Sequence, residues 1–239
     1  MAVRAKRQAP GDEVRPEGSG STNLRRVAPS PRASRRGQWR RDRILAATIR
    51  LVARNGGRGT ALAEIAGEAG VTQQGLLHYF SSKDALLNAA LDLRDERDAI
   101  SRDHEWQGLE FLDAIVERIG GWRAEPEMVG MFTLLLVENL GEHAPLRDRL
   151  AERYELVRSG YAAAIRAAQA AGTARQDIDA DVKAIEVIAF LNGLETSWLL
   201  NPTIPVEAVA EAWARLQRAA MTAGIPETAT PRPGRRSAD

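Results

Sequence analysis

Apolar side chains recur at spacings of three and four residues along most of the chain, which is the period of an amphipathic α-helix. The first such pattern runs through Ile44, Leu51 and Val52 and ends at Asn55-Gly56-Gly57, where the glycines signal a helix C-terminus. Alternating runs of β-branched residues are few, so the pattern does not favour strands. The chain is therefore predicted to be all-α.

Capping residues predict the next three helices. Thr60 can cap the start of a short second helix, and Thr72 can cap a third helix over residues 73–79. The sequence Ser81-x-x-Asp84 has the form of a capping box and predicts a long fourth helix behind it. These signals indicate an N-terminal unit of three helices followed by a connecting helix.

Longer helices are predicted beyond residue 105. Pro126, Pro145 and Pro205 each suit the first turn of a helix, where a missing N–H costs nothing. These signals predict a larger helical body of five helices. With the first four helices, the chain is predicted to have about nine. The body helices are placed at roughly 108–123, 126–141, 145–172, 178–200 and 205–222.

The segment 62–80 carries the pattern of a helix-turn-helix. The small Ala66 lets two short helices approach closely, while Leu76 and Phe80 anchor the second helix. In a helix-turn-helix the second helix lies in the major groove of DNA. The segment therefore predicts a DNA-binding unit with residues 73–79 as its recognition helix.

The same residues carry a family resemblance. The first helix contains Ile44-Leu45-x-Ala47, followed by Ile65-Ala66-x-x-Ala69-Gly70-Val71-Thr72 and then Leu76-x-His78-Tyr79-Phe80-x-x-Lys83-x-x-Leu86-Leu87. This ordered set resembles the tetracycline-repressor (TetR) family of transcriptional regulators over residues 40–93. The phrase Leu194-Glu195-x-x-Trp198-Leu199-Leu200-x-Pro202 is similar to the end of betaine-regulator-type members, without implying a shared ligand.

The resemblance implies a set of DNA-contacting residues in and beside the recognition helix. Gln73 and Gln74 can each offer a donor and an acceptor to an adenine edge, whereas Tyr79 and Lys83 match positions that hold backbone phosphate. Leu77 departs from the family pattern, which usually has an aromatic residue at this place. The predicted DNA-binding residues are Thr60, Thr72, Gln73, Gln74, Gly75, Leu77, His78, Tyr79 and Lys83.

The resemblance also implies a homodimer whose interface comes from the last two helices of each subunit. Apolar residues on the segments 178–200 and 205–222 supply the surface for such an interface. The predicted interface residues are Ile188, Leu191, Trp198, Leu199, Val209, Trp213 and Leu216.

A ligand-sensing C-terminal domain is a further implication of the resemblance. The candidates are polar groups on otherwise apolar helices, together with nearby aromatic and methionine residues. Side chains at this spacing also fit an ordinary hydrophobic core, and the sequence leaves both interpretations open. The candidate effector-binding residues are Trp106, Trp122, Met128, Met131, Phe132, Leu135, Glu138, Asn139, Asn192 and Glu195.

Charge is segregated along the chain, although the net charge is only +1. Residues 1–43 carry 12 basic and 4 acidic side chains, whereas residues 44–225 carry 18 basic and 26 acidic ones. The basic arm either follows DNA phosphate or serves as a solubilising tail. The predicted domains are a disordered basic arm over 1–36, a helix-turn-helix domain over 37–83, an effector-binding and dimerisation domain over 84–225, and a disordered tail over 226–239.

Composition excludes several classes of protein. The absence of cysteine rules out a disulfide framework, cysteine-ligated zinc and a thiol nucleophile. Uncharged stretches such as residues 196–206 are shorter than the roughly 18 apolar residues of a membrane span. His78, His104 and His143 lack metal-ligand spacing, so the sequence predicts neither a cofactor nor a metal.

These observations predict a cytoplasmic DNA-binding regulator. In the main hypothesis it is a homodimeric repressor that a small-molecule effector releases from a palindromic operator in double-stranded DNA. The alternative is a constitutive repressor or an architectural protein that has no effector. A helical enzyme is the remaining alternative, and the chain offers no catalytic motif in its support.

Overall fold

The computed structural model describes residues 31–98, 106 and 108–224. Within these ranges the chain forms α-helices and two short 3-10 turns and has no strand, so the all-α prediction is confirmed there. None of the described helices is long and apolar enough to cross a membrane. The helices are α1 (Pro31–Gly59), α2 (Leu62–Ala69), α3 (Gln73–Tyr79), α4 (Lys83–Arg97), α5 (Phe111–Gly120), α6 (Pro126–Glu138), α7 (Arg147–Ala170), α8 (Ala180–Leu200) and α9 (Val206–Thr222).

The first helix begins earlier than the sequence predicts. Pro31 is the first residue of α1, so residues 31–36 are helical and do not belong to a disordered arm. Proline fits this place because its φ suits a helix start and its missing N–H has no partner to lose. The rest of the predicted arm, residues 1–30, and the predicted tail, residues 226–239, lie outside the described residues.

A kink near the end of α1 ties this helix to α6. Gly56 has φ 74° and ψ 168°, a conformation that favours glycine, and it lies within the predicted end signal. The carboxylate of Glu138, at the end of α6, accepts hydrogen bonds from the N–H of Gly57 at 2.8 Å and of Arg58 at 3.2 Å. Arg58 in turn donates from its guanidinium to the carbonyl of Glu138 at 2.6 Å. The two helix ends therefore satisfy each other's free polar groups.

Thr60 does not cap α2 as the sequence predicts. Its hydroxyl is buried and donates to the carbonyl of Gly56 at 2.8 Å, which supports the kink. Ala61 occupies the N-cap position of α2, and the carboxylate of Glu64 accepts from its N–H at 2.9 Å. The glutamate of a capping box thus satisfies this helix start without a hydroxyl.

Local signals predict the starts of α3 and α4 more closely. Thr72 caps α3 as predicted, and its hydroxyl oxygen accepts from the N–H of Gly75 at 3.0 Å. The cap of α4 is Ser82 instead of Ser81, and its oxygen accepts from the N–H of Ala85 at 3.0 Å. The predicted capping box is therefore one residue out of place, which leaves the long fourth helix where it was predicted.

Two clusters of buried apolar residues organise the helices. The first joins α1, α2, α3 and α4 to the inner face of α6 and the start of α7, and it includes Ile44, Leu76 and Leu135. The second lies among α5, α7, α8 and α9 and includes Ile165 and Val187. Because α6 contributes to the first cluster, the N-terminal helices and the body are packed together and not merely linked in sequence.

We expect Gly56→Ala to destabilise the protein. The positive φ disfavours a side chain, and a Cβ at this place would collide with a carboxylate oxygen of Glu138. The free energy of unfolding, measured by urea denaturation, should fall by about 1–3 kcal/mol. The matched control is Gly67→Ala in α2, where a Cβ meets nothing within 4 Å and should stabilise by about 0.5–1 kcal/mol. Equal effects of the two substitutions would contradict a structural role for the kink.

Candidate functional site

The turn between α2 and α3 has the geometry that the sequence predicts. Gly70 adopts a left-handed conformation with φ 64°, and the N–H of Val71 donates to the carbonyl of Ala66 at 2.9 Å. Ala66 and Leu76 are buried between the helices. The two short helices are therefore held at a fixed angle, with one face of α3 exposed.

Most of the side chains predicted to contact DNA lie on or beside that face. Gln73, Gln74, Leu77 and His78 are exposed. Tyr79 is half-buried, and the ring of His78 meets its ring edge-on with centres 5.5 Å apart. Amide groups on an exposed helix can pair with base edges, so this face has the chemistry of a reading surface.

Four predicted DNA contacts remain. Three of them flank this face of α3, and the fourth, Thr60, does not. Thr72 is exposed at the start of α3, Gly75 is half-buried in α3, and Lys83 is half-buried at the start of α4. The hydroxyl of Thr60 is buried and donates to the carbonyl of Gly56, so it is not presented beside this face, and a DNA contact of Thr60 stays a prediction. The sequence gives no indication that this threonine belongs to the kink, because the kink depends on α6.

The start of α1 adds basic and aromatic groups that the sequence analysis did not identify. Trp39 is 55% exposed, and the guanidinium of Arg43 lies 4.8 Å from the centre of its ring. Arg43 also reaches the turn at Gly70, where a Cβ would lie 2.8 Å from its Nη2 atom. Arg41 lies over Phe80, just after α3, at 5.4 Å from the ring centre. The available signal was a tryptophan in an arginine-rich run with no apolar partner one turn away.

Part of the predicted dimer interface is buried within the subunit. Ile188, Leu191 and Trp198 are buried in the body core of the single subunit, and their place in a dimer interface stays a prediction. Helix α8 carries apolar residues on opposite sides, and periodicity alone does not tell which side faces the subunit's own core.

The remaining predicted interface residues are partly or fully accessible. Leu199, Val209 and Trp213 are half-buried against the body core, and Trp213 stacks on Phe190 with ring centres 4.1 Å apart. Leu216 on α9 is 69% exposed. The aromatic stack holds α8 and α9 side by side.

A different set of apolar residues is exposed on the outer side of α8. Val182, Ile185 and Leu200 fall on one face of the helix, and Leu200 is 83% exposed. Leu216 is an exposed apolar residue on α9, and we call these four residues the α8/α9 patch.

The apolar stripe of α6 packs against the N-terminal helices. Met128, Met131, Phe132 and Leu135 are buried in the cluster that contains α1 and α4. Glu138, on the same helix, binds the end of α1. These five candidate effector residues therefore join the two domains, and the structure supports the alternative interpretation of the stripe as core.

The two candidate asparagines differ in their surroundings. Asn139 is buried after the end of α6, where its amide donates to the carbonyl of Leu135 at 2.7 Å and its oxygen accepts from the N–H of Leu146 at 3.1 Å. Asn192 is half-buried on α8. Asn139 thus connects α6 to the start of α7.

The two candidate tryptophans lie in the body. Trp106 is half-buried against the body core. Trp122 is buried, and its ring centre lies 5.9 Å from that of Trp198 on α8. Trp122 follows Arg118, a member of a group of buried charges, by four residues in the sequence.

Glu195 is the centre of that group. It is buried on α8, and its Oε1 accepts from Nη2 of Arg94 on α4 at 2.6 Å. Its Oε2 accepts from the hydroxyl of Thr133 on α6 at 3.4 Å. The guanidinium of Arg94 also lies 3.8 Å from the centre of the Phe132 ring. One buried ion pair therefore links α4, α6 and α8.

Further arginines surround Asp98, which follows the last residue of α4. Its Oδ2 lies 3.1 Å from Nε of Arg94, 3.2 Å from Nη2 of Arg153 and 3.8 Å from Nη1 of Arg118. Arg153 also binds Asp95 at 2.5 Å. We refer to this set as the charged cluster; its members are Arg94, Asp95, Asp98, Arg118, Arg153 and Glu195.

Burial and neighbouring charges shift pKa values in and beside the cluster. Burial lowers the pKa of Arg153, and the nearby Arg94 adds to this effect. The pKa of Arg118 is raised despite the lowering effect of burial, because Tyr161 and the acidic groups of the cluster outweigh it. Burial raises the pKa of Tyr161. At neutral pH the Tyr161 phenol therefore keeps its proton.

The arginines of the cluster are not among the site residues predicted from the sequence. Arg94 follows Leu87, Ala90 and Leu91 at helical spacing, and it lies with them on the buried face of α4. A basic residue at such a position was the available signal, because a buried charge requires a partner.

Two segments of the chain match the sequence models of known protein families. Residues 44–90 match the sequence model of the bacterial regulatory proteins of the tetR family. Residues 108–213 match that of the tetracyclin repressor-like C-terminal domain, and the two segments together make up more than half of the chain. A comparison with curated proteins gives no significant match.

The fold is similar to that of several solved structures. A TetR-family protein from Rhodococcus is 28% identical, with 77% of this chain and 99% of that chain covered and a TM-score of 0.61. NalD, the secondary repressor of the MexAB-OprM multidrug efflux pump in Pseudomonas aeruginosa, is 17% identical, with 79% and 99% covered and a TM-score of 0.63. FadR from Bacillus subtilis, solved in complex with stearoyl-CoA, is 16% identical, with 75% and 98% covered and a TM-score of 0.63.

We expect Arg94→Met to lower stability sharply, because Glu195 would remain buried without its cation. Removing one partner of a buried ion pair costs about 3–5 kcal/mol, measured as the free energy of unfolding in urea at pH 7. The double variant Arg94→Met/Glu195→Leu should recover part of this loss, since the unpaired carboxylate is gone.

The matched control for this measurement is Arg215→Met. Arg215 is exposed and lies 3.9 Å from Glu211, so its loss should change stability little. A loss for Arg94→Met no larger than that of the control would show that the buried pair does not hold the body together.

Proposed function

The chain belongs to the TetR family of bacterial regulatory proteins, and from this premise we propose that it is a homodimeric transcriptional repressor that a small-molecule effector releases from operator DNA. The observation that carries the DNA-binding part is the exposed face of α3, which presents Gln73, Gln74 and His78 from a capped helix-turn-helix. Since an operator is chromosomal DNA, we place the protein in the bacterial cytoplasm.

The proposed DNA-contacting side chains of α3 and of the start of α4 divide into those that contact bases and those that contact phosphate. Gln73 and Gln74 carry amides that can bind the N6 and N7 atoms of adenine in the major groove. Tyr79 and Lys83 stand at the margin of the same face, where a phenol and an ammonium group suit phosphate. Trp39 and the arginines at the start of α1 extend this basic surface beyond the turn.

The α8/α9 patch supports the homodimer. Its four residues, Val182, Ile185, Leu200 and Leu216, are exposed in the single subunit, and pairing two such patches across a two-fold axis would bury them. The same axis would set two α3 helices in successive major grooves, about 34–36 Å apart. Such a dimer requires a palindromic operator.

Contacts between the domains support control by a ligand. The N-terminal helices are joined to the body by the bond from Gly57 to Glu138 and by the Arg94–Glu195 pair. A ligand that prefers another arrangement of the body would shift the population toward dimers whose α3 spacing does not fit the operator. NalD is a repressor, and FadR was solved with stearoyl-CoA, so repression and ligand binding both occur on this fold. Neither likeness identifies the ligand of this chain.

An electrophoretic mobility shift with DNA from upstream of the protein's own gene tests the proposal. We expect a retarded band at low salt that weakens steeply as salt rises, because phosphate contacts release counterions. No retarded band at low salt would contradict the proposal. A band that responds to no cellular metabolite would favour the constitutive repressor without an effector.

We expect Gln73→Ala to weaken operator binding by about 1–3 kcal/mol and to relax the preference at one base pair. The reason is the loss of an amide that reads a base edge. Mobility shifts on operators mutated one base pair at a time measure both effects. Gln176→Ala, an exposed amide far from α3, should leave affinity unchanged. An equal loss on every sequence would instead make Gln73 a backbone contact.

We expect the double variant Ile185→Lys/Leu216→Lys to be monomeric, because two charges would enter the proposed interface. Light scattering measures the mass in solution, and operator affinity should fall by about 10²-fold or more once the half-sites are bound independently. The control is Val137→Lys on α6, which alters an apolar side chain that is 59% exposed outside the α8/α9 patch. A double variant that remains dimeric would place the interface elsewhere.

A further inference from the structure

Among the residues that the structure describes, three buried N–H groups in and beside the charged cluster have no hydrogen-bond partner. They are Nη1 of Arg94, Nε of Arg118 and Nε1 of Trp198. Arg94 and Trp198 are each only 4% exposed, so solvent at the surface does not satisfy them. Buried donors are paired in nearly all native proteins, and three unpaired ones in one region point to an acceptor that completes them.

The three donors come from α4, α5 and α8 and converge on one part of the body. Nε of Arg94 and Nη1 of Arg118 both approach Oδ2 of Asp98, at 3.1 Å and 3.8 Å. Trp198 lies about one helical turn after Glu195, which binds Arg94 at 2.6 Å. The two guanidinium donors therefore belong to groups that lie beside Asp98, and the indole donor lies on the helix that carries Glu195.

Most carboxylate oxygens of the cluster already accept hydrogen bonds. Oδ2 of Asp98 is shared among three guanidinium groups. Glu195 accepts from Arg94 with one oxygen and from Thr133 with the other. Asp95 is bound by two arginines of α7. The buried polar atoms left without a partner in the described part of the cluster are thus all donors, although the formal charges balance.

We propose that the charged cluster and the adjacent indoles form the effector site, and that the effector carries a carbonyl or carboxylate oxygen on an aromatic or otherwise apolar body. The oxygen accepts from the free N–H groups of Arg94 and Arg118, and the indole N–H of Trp198 adds a third bond. The apolar part packs against the tilted indoles of Trp122 and Trp198. A cationic ligand does not fit, since it would bring further donors to a place where the unpaired groups are themselves donors. That a ligand binds here does not depend on the proposed function; calling this ligand the effector does.

Such a ligand would act on the link between α4 and α8. Its oxygen would compete with Glu195 for Arg94, and a weaker Arg94–Glu195 pair would let α4 move relative to α8. Because α4 begins shortly after α3 ends, movement of α4 would change the position of the recognition helix. The site thus lies where ligand binding and DNA binding can be coupled.

Thermal unfolding of the full chain with matched probes tests the ligand class. The probes are aryl and alkyl carboxylic acids of graded length, the primary amides of the same skeletons, and the corresponding amines. We expect acids or amides to raise Tm with increasing concentration and the amines to have no effect. No stabilisation by any acid or amide, or an equal effect of the amines, would overturn the proposal.

Trp198→Phe tests the place of binding, because it removes one donor and keeps an aromatic ring. Isothermal titration calorimetry with the stabilising probe should show an affinity about tenfold lower. Trp213→Phe, in the stack on Phe190, is the matched control and should bind the probe as the parent protein does. Trp198→Phe shortens a buried side chain and should lower Tm by itself, so probe affinity is measured on the folded variant. Unchanged probe affinity would overturn the assignment of the site.

A second variant covers the case in which Trp198→Phe does not fold. Arg118→Lys keeps a positive charge beside Asp98 and lacks the free Nε–H, so it should also weaken binding of the probe. Full affinity in this variant would overturn the proposed bond to Arg118.

Mobility shifts in the presence of the stabilising probe separate this inference from the proposed function. Release of DNA by the probe, diminished in Trp198→Phe, supports both. If the protein retards DNA but no probe binds at the cluster, the inference is wrong and the repressor proposal stands. If a probe binds at the cluster and no DNA is retarded, the site stands and the proposed function fails.

Discussion

The buried ion pair of Arg94 with Glu195 is the interaction on which the arrangement of the helices depends. Both groups are almost fully withdrawn from water, and an unpaired charge in a protein core is far more costly than a lost apolar contact. Because Arg94 on α4 and Glu195 on α8 must neutralise each other's charge, the two helices are held together at this pair. The ring of Phe132 lies beside the Arg94 guanidinium. Asp98 also binds Arg118 on α5 and Arg153 on α7, so these two helices meet the end of α4. The body is thus assembled around a charged centre as well as around its apolar core.

Helix α6 imposes the second constraint, because it belongs to both domains. Its apolar stripe is buried with α1 and α4, and Glu138 at its end satisfies the N–H groups that the kink at Gly56 leaves free. The N-terminal helices consequently cannot move far without disturbing α6 or α4. A regulator needs coupling of this kind, and typical coupling energies of about 1–3 kcal/mol are within the reach of a few such contacts.

Local signals predicted the helix-turn-helix almost residue by residue. Thr72 caps α3, Gly70 has the left-handed conformation of a helix end, and Ala66 lies on the inner face, all as expected from short-range patterns. The prediction failed for Thr60, whose hydroxyl supports a kink that also depends on Glu138. The failure has a physical cause: the partner of the kink is on α6, and the neighbours of Thr60 in the sequence carry no information about it.

The sequence by itself determined the all-α class, the order of the helices and the position of the recognition helix, because periodicity and capping are local properties of the chain. It did not determine which side of α8 faces inward, since both sides are apolar. Ile188 is buried whereas Ile185 is exposed, and the packing of α8 on its neighbours alone decides this. Tertiary structure also brought Arg94 to Glu195, because the partner of a buried charge lies far along the chain and packing selects it.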